Sequence, residues 1–248
     1  MRTPKRYSVK VDKGKVREKN EDRGYIVVNS RGDVLMVVAD GMGGHDGGEI
    51  AAQLACDTLI ETFRAKSRFF TTLSAKIWLR KTIRKANTRI FKHAKETNIK
   101  GGMGTTLICA LILKNSIIIA NVGDSRAYKF EKSEGLTLLS EDQTYVDYLI
   151  KSGHISEEER SSDSRRHILT NALGLHAKTP IEINHYLYKN ETILLCSDGL
   201  YHRITTSQIS NILSTNDAVE QKVATLVVLA NENGGDDNIA VALLEADV

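Results

Sequence analysis

The sequence predicts an α+β fold in which mostly antiparallel sheets are covered by pairs of helices. Two observations carry this reading. Apolar runs of strand character follow one another in groups joined by short turns, and helical patterns come two at a time. A doubly wound parallel sheet would instead alternate strand and helix strictly. No internal repeat and no proline-rich or low-complexity linker divides the 248 residues, so 1–248 is read as a single domain.

Each element follows from its local pattern. Residues 7–11 alternate and read as a first strand, and 16–23 is a polar connection. Residues 24–28 and 34–39 form a hairpin turned at Asn29-Ser-Arg-Gly-Asp33. The second of these runs ends on Asp40-Gly41 and enters a loop too rich in glycine for a strand or a helix. Two helical patterns follow, at 49–63 and 77–94. Ile50, Ala51, Leu54, Ala55, Leu59 and Phe63 share a face of the first. Ile77, Ile83, Ala86, Ile90 and Ala94 share a face of the second, with Arg and Lys outward. Residues 105–113 and 116–122 read as a hairpin through Lys114-Asn115, and 125–131 and 136–139 continue the antiparallel run. Ser140-Glu-Asp-Gln143 fits a capping box opening a helix that stops at Gly153. Residues 156–167 are polar and non-periodic and read as a mobile surface segment. Strands at 181–188 and 192–197, helices at 205–213 and 219–230, and a last strand at 239–245 complete the chain; Gly234 closes the second of these helices.

Composition excludes several classes. No apolar run approaches the ~20 residues of a membrane helix. The basic start Met1-Arg-Thr-Pro-Lys-Arg6 lacks the apolar core of a signal peptide, which places the protein in the cytoplasm. Cys56, Cys109 and Cys196 sit in apolar runs without paired spacing and read as reduced, buried thiols. The net charge of +3 is unevenly spread: positions 64 to 100 hold twelve Lys or Arg against one acid, Glu96. Basic helical faces are ordinarily just solvated. Without aromatic interleaving or a nucleic-acid motif, no DNA or RNA partner is indicated.

The chemistry lies in the carboxylates. Asp40-Gly41 alone is most simply a turn, but Thr192-Ile-Leu-Leu-Cys-Ser-Asp198-Gly199 repeats the arrangement of apolar strand, Asp and Gly. Asp124 lies in a tight bend, Asp237 just before the last strand, and Glu21-Asp22 just before an earlier one. All five places could meet at one end of a layered structure. Carboxylates that meet repel one another and, unless they share protons, need a cation. Oxygen-only ligands select Mg²⁺, Mn²⁺ or Ca²⁺, and no Cys or His at ligand spacing points to zinc. Two such ions about 3.5–4 Å apart clamp a phosphoryl group and lower the pKa of a shared water, so no Ser, Cys or His nucleophile is required. Arg17, four residues before Glu21, is the candidate fork for the phosphate oxygens, although a lone Arg is usually a solvated surface residue.

Arg17-Glu-Lys-Asn-Glu-Asp22, Ala39-Asp-Gly-Met-Gly-Gly44, Gly104-Thr-Thr106, Val122-Gly-Asp-Ser-Arg126, Cys196-Ser-Asp-Gly199 and Asp237-Asn238 occur in this order. Each is weak alone, but the ordered set resembles the metal-dependent serine/threonine protein phosphatases of type 2C in their short bacterial form, over residues 7–245. The resemblance implies a four-layer α-β-β-α sandwich of two mostly antiparallel sheets flanked by helix pairs, with two Mn²⁺ or Mg²⁺ ions at one end. It implies that Asp40 bridges both ions, that the Gly41 carbonyl and Glu21 complete one, and that Asp198 and Asp237 hold the other. Asp124, with Asp198, matches the place of a third ion in bacterial relatives. Asp22 matches an acceptor for metal-bound water, Asn238 a hydrogen-bonding support, and Arg17 the substrate-phosphate arginine. Gly104-Thr-Thr106 matches a structural element that places a strand close to the site. Residues 145–174 correspond to the flap, which influences substrate access. The implied partners are phosphorylated proteins and an opposing serine/threonine kinase. The chain is expected to be a monomer, and its hydropathy points to no membrane partner.

There are departures. Met42 stands where animal-type members carry a histidine, and Met cannot transfer a proton, so a metal-bound water is the simpler acid. His45 reads as a loop-capping or surface residue, His154 and His167 as exposed flap residues, and His185 as a satisfied core or rim histidine. Asn171 occupies a flap position where bacterial relatives often have Arg, a change expected to bear on substrate contacts. The alternative to an active phosphatase is a catalytically weak, phosphatase-like sensor or binding scaffold; the retained carboxylates and Arg17 favour activity. An ATPase is excluded, because no G-x-x-x-x-G-K-[ST] loop exists and Gly101-Gly-Met-Gly-Thr-Thr106 lacks the lysine.

Overall fold

The computed structural model describes residues 5–44, 46–66, 68–97, 102–160 and 163–246; His45 lies outside them. In chain order the elements are β1 (Lys5–Asp12), β2 (Arg23–Val28), β3 (Val34–Ala39), β4 (Gly41–Gly43), α1 (Gly47–Arg64) and α2 (Thr72–Thr97). Then come β5 (Met103–Thr105), β6 (Leu107–Ile112), β7 (Ser116–Val122), β8 (Arg126–Glu131), β9 (Gly135–Leu138) and α3 (Tyr145–Lys151). The chain finishes with β10 (Glu182–Leu187), β11 (Thr192–Cys196), α4 (Asp198–Tyr201), α5 (Thr206–Ser214), α6 (Val219–Glu232) and β12 (Ile239–Ala246).

Two five-stranded sheets result, ordered β1-β12-β11-β8-β9 and β10-β7-β6-β3-β2, with antiparallel pairing throughout. They pack face to face, and helices cover both outer faces. Successive strand residues point to opposite sides. In β3, Val34, Met36 and Val38 enter the space between the sheets, while Leu35, Val37 and Ala39 face α1 and α2. In β12, Ala240, Ala242 and Leu244 enter the same space, while Ile239, Val241 and Leu243 face α5 and α6. Both faces are buried, so these strands read as unbroken apolar runs. Each fully buried large aliphatic side chain stabilises the sandwich by roughly 1.5–3 kcal/mol.

Most elements fall where the sequence places them. The glycine loop after Asp40, read as irregular, contains β4, which pairs with β5. Helix α1 begins at Gly47, ahead of the expected start at 49. On α2 the inward stripe is Ala75, Leu79, Ile83, Ala86 and Ile90. Ile77 lies two residues from both Ala75 and Leu79, on the opposite side of the helix, and is exposed. Arg80, Lys81, Arg84 and Lys85 are solvated, as read. His185 is exposed, not a core or rim residue, because β10 is the edge strand of its sheet. The capping box sits four residues later than expected: Thr144 accepts from the Asp147 N–H, and Asp147 accepts from the Thr144 N–H. Ser140 instead accepts a 3.0 Å bond from the Ala127 N–H.

The flap, 145–174, holds α3 and a series of turns. Arg160 pairs with Asp147 at 2.5 Å and Arg165 with Asp163 at 2.6 Å. Bridges Thr144↔Leu169 and Thr105↔Leu173 fasten it to the body. Cys56, Cys109 and Cys196 are free and buried. Among the described residues no helix is long and apolar enough to cross a membrane.

Candidate metal centre

Asp40 leaves the tip of β3 with its backbone fixed on both sides. Its N–H donates to Thr106 Oγ1 at 3.0 Å, and its carbonyl accepts the Thr106 N–H at 2.8 Å and the Thr105 hydroxyl at 2.9 Å. Gly104-Thr-Thr106 thus anchors the residue at the head of the site. A Cβ on Gly41 would lie 2.2 Å from the Gly48 carbonyl oxygen, and one on Gly48 would lie 2.9 Å from Cδ of Glu21. Only glycine at both positions lets the Gly41 and Gly48 backbones meet beside the Glu21 side chain.

The other sheet supplies Asp198, the first residue of α4, directly after β11. Ser197 before it is buried. Its hydroxyl donates to Asp22 Oδ2 at 2.6 Å and accepts the Ala240 N–H at 2.8 Å. Asn238 organises the connection that carries Arg17 and Glu21. Its side-chain oxygen accepts the Glu21 N–H at 2.8 Å, and its amide donates to the Lys13 and Lys19 carbonyls at 2.9 Å each. Asp237 accepts from the Asn238 N–H at 2.8 Å and from Arg17 Nη2 at 2.9 Å. Asp124 is buried between β7 and β8, at a bend where Gly123 takes φ +100°.

One cleft of about 500 Å³ gathers Arg17, Glu21, Asp40, Gly41, Asp124, Asp198, Asp237 and Asn238. Asp22 lies beneath it, 1% exposed. The structure therefore brings together every site residue expected from the sequence. The supporting roles of Ser197 and Gly48 go beyond the sequence reading. Ser197 lies inside the Cys196–Gly199 motif, but its partners Asp22 and Ala240 are remote in sequence.

The charges are strongly coupled. Burial, then repulsion from Asp22, Asp198, Asp124 and Asp237, holds the Asp40 carboxyl well above the usual carboxylate range. Burial and Asp198 do the same to Asp124 and raise Asp237. Burial pushes Asp22 up to about 8 against the opposing hydrogen bond from Ser197, and it raises Glu21. At Asp198 burial acts upward, but the hydrogen bond and charge of His202 outweigh it and leave this carboxyl below its ordinary value. Oδ1 of Asp22 and Oδ1 of Asp198 are buried without a hydrogen-bond partner. Converging oxygen donors, mutual repulsion and orphaned buried oxygens fit hard divalent cations.

Around the rim, Met42 lines the cleft and offers no proton. Asn171 donates to Gln143 Oε1 at 2.6 Å and to the Pro180 carbonyl at 3.0 Å, so its amide serves the flap's own frame. His154 is exposed and bonds Ser152 Oγ at 2.8 Å. His167 is also exposed, and burial and the neighbouring His202 lower its pKa.

Hard-ion donors facing a guanidinium across one cleft are the working parts of a metal-dependent phosphatase. The sequence agrees on which kind: residues 14–244 match the Protein phosphatase 2C family, and the chain belongs to it. It is 35% identical over 240 residues to the serine/threonine phosphatase stp of Listeria monocytogenes, covering 96% of this chain and 95% of that protein. The crystal structure of serine/threonine phosphatase Stp1 from Staphylococcus aureus matches with a TM-score of 0.92 at 32% identity, over 100% of this chain and 97% of that one. The catalytic domain of the serine/threonine protein phosphatase PstP, solved in complex with 2 manganese ions, matches at 0.82 and 31% identity, over 98% and 99%.

Proposed function

We propose that residues 1–248 act as one catalytic domain that hydrolyses phosphoserine and phosphothreonine in proteins, using two Mn²⁺ or Mg²⁺ ions with room for a third. The observation that carries this is that Asp40, from one sheet, and Asp198, from the other, open into the same cleft as Glu21, Asp237 and Arg17. Asp40 would be shared by the two ions, Glu21 and the Gly41 carbonyl would help to hold one, and Asp198 and Asp237 the other. Asp124, with Asp198, would hold the third. When bound, such ions supply a water of lowered pKa and neutralise charge on the phosphoryl oxygens.

The chain's own residues do the rest. Arg17 holds the non-reacting phosphate oxygens with its planar fork. Asp22, held by Ser197 beneath the cleft, would accept a hydrogen bond from water at the centre, and Asn238 keeps the Arg17–Glu21 connection in place. The leaving alkoxide takes its proton from water, since Met42 has none to give. The enzyme works as a cytoplasmic monomer on the products of a serine/threonine kinase. Its relatives' names as serine/threonine phosphatases support that substrate class.

Purified protein is expected to release phosphate from a phosphothreonine peptide with Mn²⁺, and EDTA to abolish the release. Absence of turnover with every divalent ion tried would favour the binding-scaffold reading.

A further inference from the structure

His167, Asp198 and His202 each bring one ligand atom to a point where all three atoms lie within 4.8 Å of one another. We propose that these three side chains form a further metal site, of two imidazoles and one carboxylate, that takes Zn²⁺ on the flap side of the oxygen-only centre.

The placement has a local cause. His202 follows Asp198 by one helical turn, fixed by the His202 N–H bond to the Asp198 carbonyl at 3.0 Å. That turn sets His202 Nδ1 3.5 Å from Asp198 Oδ2. His167 arrives from the flap, where the Ile168 carbonyl accepts the Tyr145 N–H at 2.7 Å. Its ring stands 4.9 Å, centroid to centroid, from that of His202.

The spacing suits a small ion. Ligand bonds of about 2.0–2.2 Å in a tetrahedron separate donor atoms by roughly 3.3–3.5 Å. The His202–Asp198 pair already has that separation. The remaining donor must close in by only about 1 Å, within reach of a χ rotation in an exposed histidine.

The donor set selects the ion. Imidazole nitrogen favours borderline ions such as Zn²⁺ over Mg²⁺ and Mn²⁺, which the carboxylate centre suits better. Asp198 offers an oxygen to each side: Oδ2 faces His202, and Oδ1 is buried without a hydrogen-bond partner. His167 and Asp198 also stand at the seam between the carboxylate cleft and a neighbouring cavity of about 480 Å³ lined by Arg126, Arg160 and Arg203. Zinc there ties the flap to α4 beside the cleft mouth. The site shares Asp198 with the proposed phosphatase centre, but its test does not depend on turnover.

Full-length protein saturated with Mg²⁺ is dialysed to equilibrium against Zn²⁺. The wild type is expected to take up one Zn²⁺ per chain, and His167→Ala, His202→Ala and His202→Gln each to weaken that uptake by about tenfold or more. Co²⁺ in place of zinc should give the intense visible bands of a four-coordinate, imidazole-bound ion in the wild type but not in the variants. Both histidines are exposed, and circular dichroism of each variant reports that the fold is kept. Equal zinc affinity and stoichiometry in the folded variants, or no zinc uptake by the Mg²⁺-saturated wild type, overturns the site.

Discussion

Arg17 Nη2 lies 2.9 Å from Asp237 Oδ2, an ion pair between the phosphate-binding candidate and a metal-ligand candidate. Both side chains are partly solvated, so the pair itself adds little stability. Its value is positional, because it parks the guanidinium at the cleft mouth, with Arg17 Nε also donating to the Asp236 carbonyl at 3.3 Å. An incoming phosphate dianion competes with Asp237 for the same fork.

Arg17→Ala should therefore act on substrate binding first. KM for a phosphothreonine peptide is expected to rise about tenfold or more, the scale of a charged hydrogen bond of roughly 1.5–3 kcal/mol, with a smaller fall in kcat. The Mn²⁺ concentration for half-maximal rate should drop, since Asp237 loses a competing cation. Initial rates over a grid of peptide and Mn²⁺ concentrations check both, and an unchanged KM would assign the phosphate to another group.

Asp40→Asn, Asp198→Asn and Asp237→Asn should each lower kcat by about 100-fold or more while circular dichroism stays native, because each removes a carboxylate proposed to hold the metal ions. Asp40→Asn should also raise the Tm of EDTA-treated protein, since it deletes a buried acid whose charged form the fold disfavours. Near-normal turnover in Asp40→Asn would remove the bridging assignment.

Ser197→Ala takes a partner from Asp22 Oδ2 and from the Ala240 N–H together. The expected cost is about 1–3 kcal/mol per stranded group. At this chain length each kcal/mol lowers Tm by roughly 2–4 °C. Thermal melts measure this, and metal titration should show affinity reduced about tenfold through the misplaced Asp22. A melt within experimental error of the wild type would mean that water replaces the hydroxyl.

Metal-free protein should become less stable as pH rises. Asp22, near 8, and Asp40, Asp124, Asp237 and Glu21, all raised, favour their neutral forms in the fold. Their stabilising contribution is complete below the ordinary carboxylate pKa and disappears as pH climbs through the raised values. Asp198, shifted downward, opposes this alone within the set. In EDTA, Tm is expected to fall from pH 5 to pH 8 by several degrees, and Mn²⁺ to recover most at the alkaline end. Calorimetry in buffers of different ionisation enthalpy should show protons released on metal binding. A flat Tm profile would contradict the repulsion.

The carboxylate centre was legible because its parts are local. Asp40-Gly41 and Asp198-Gly199 each terminate an apolar strand, and a strand end can only point off the sheet. The layered fold was legible from the same runs. What escaped depended on competition between neighbours. Ser140-x-x-Gln143 and Thr144-x-x-Asp147 both fit a capping box. The structure uses the second because the first is already engaged: Asn121 Nδ2 donates to the Glu141 carbonyl at 2.6 Å, and Gln143 Oε1 accepts the Gly123 N–H at 3.0 Å. Counting apolar residues turns Ile77 inward, whereas the buried stripe runs through Ala75 and Leu79. The approach of His167 to His202 joins a residue of the flap to the residue that ends α4, and no sequence period encodes it.

Asp40 rides on β3 of one sheet and Asp198 follows β11 of the other, so the gap they span measures how one sheet is seated on its neighbour. Side chains such as Ile108, Ile119 and Leu195, packed between the sheets, act as the shims that set this seating. A methylene gained or lost among them would retune the spacing of the two carboxylates. Turnover in this protein should therefore respond to interior packing over a distance that no direct contact bridges.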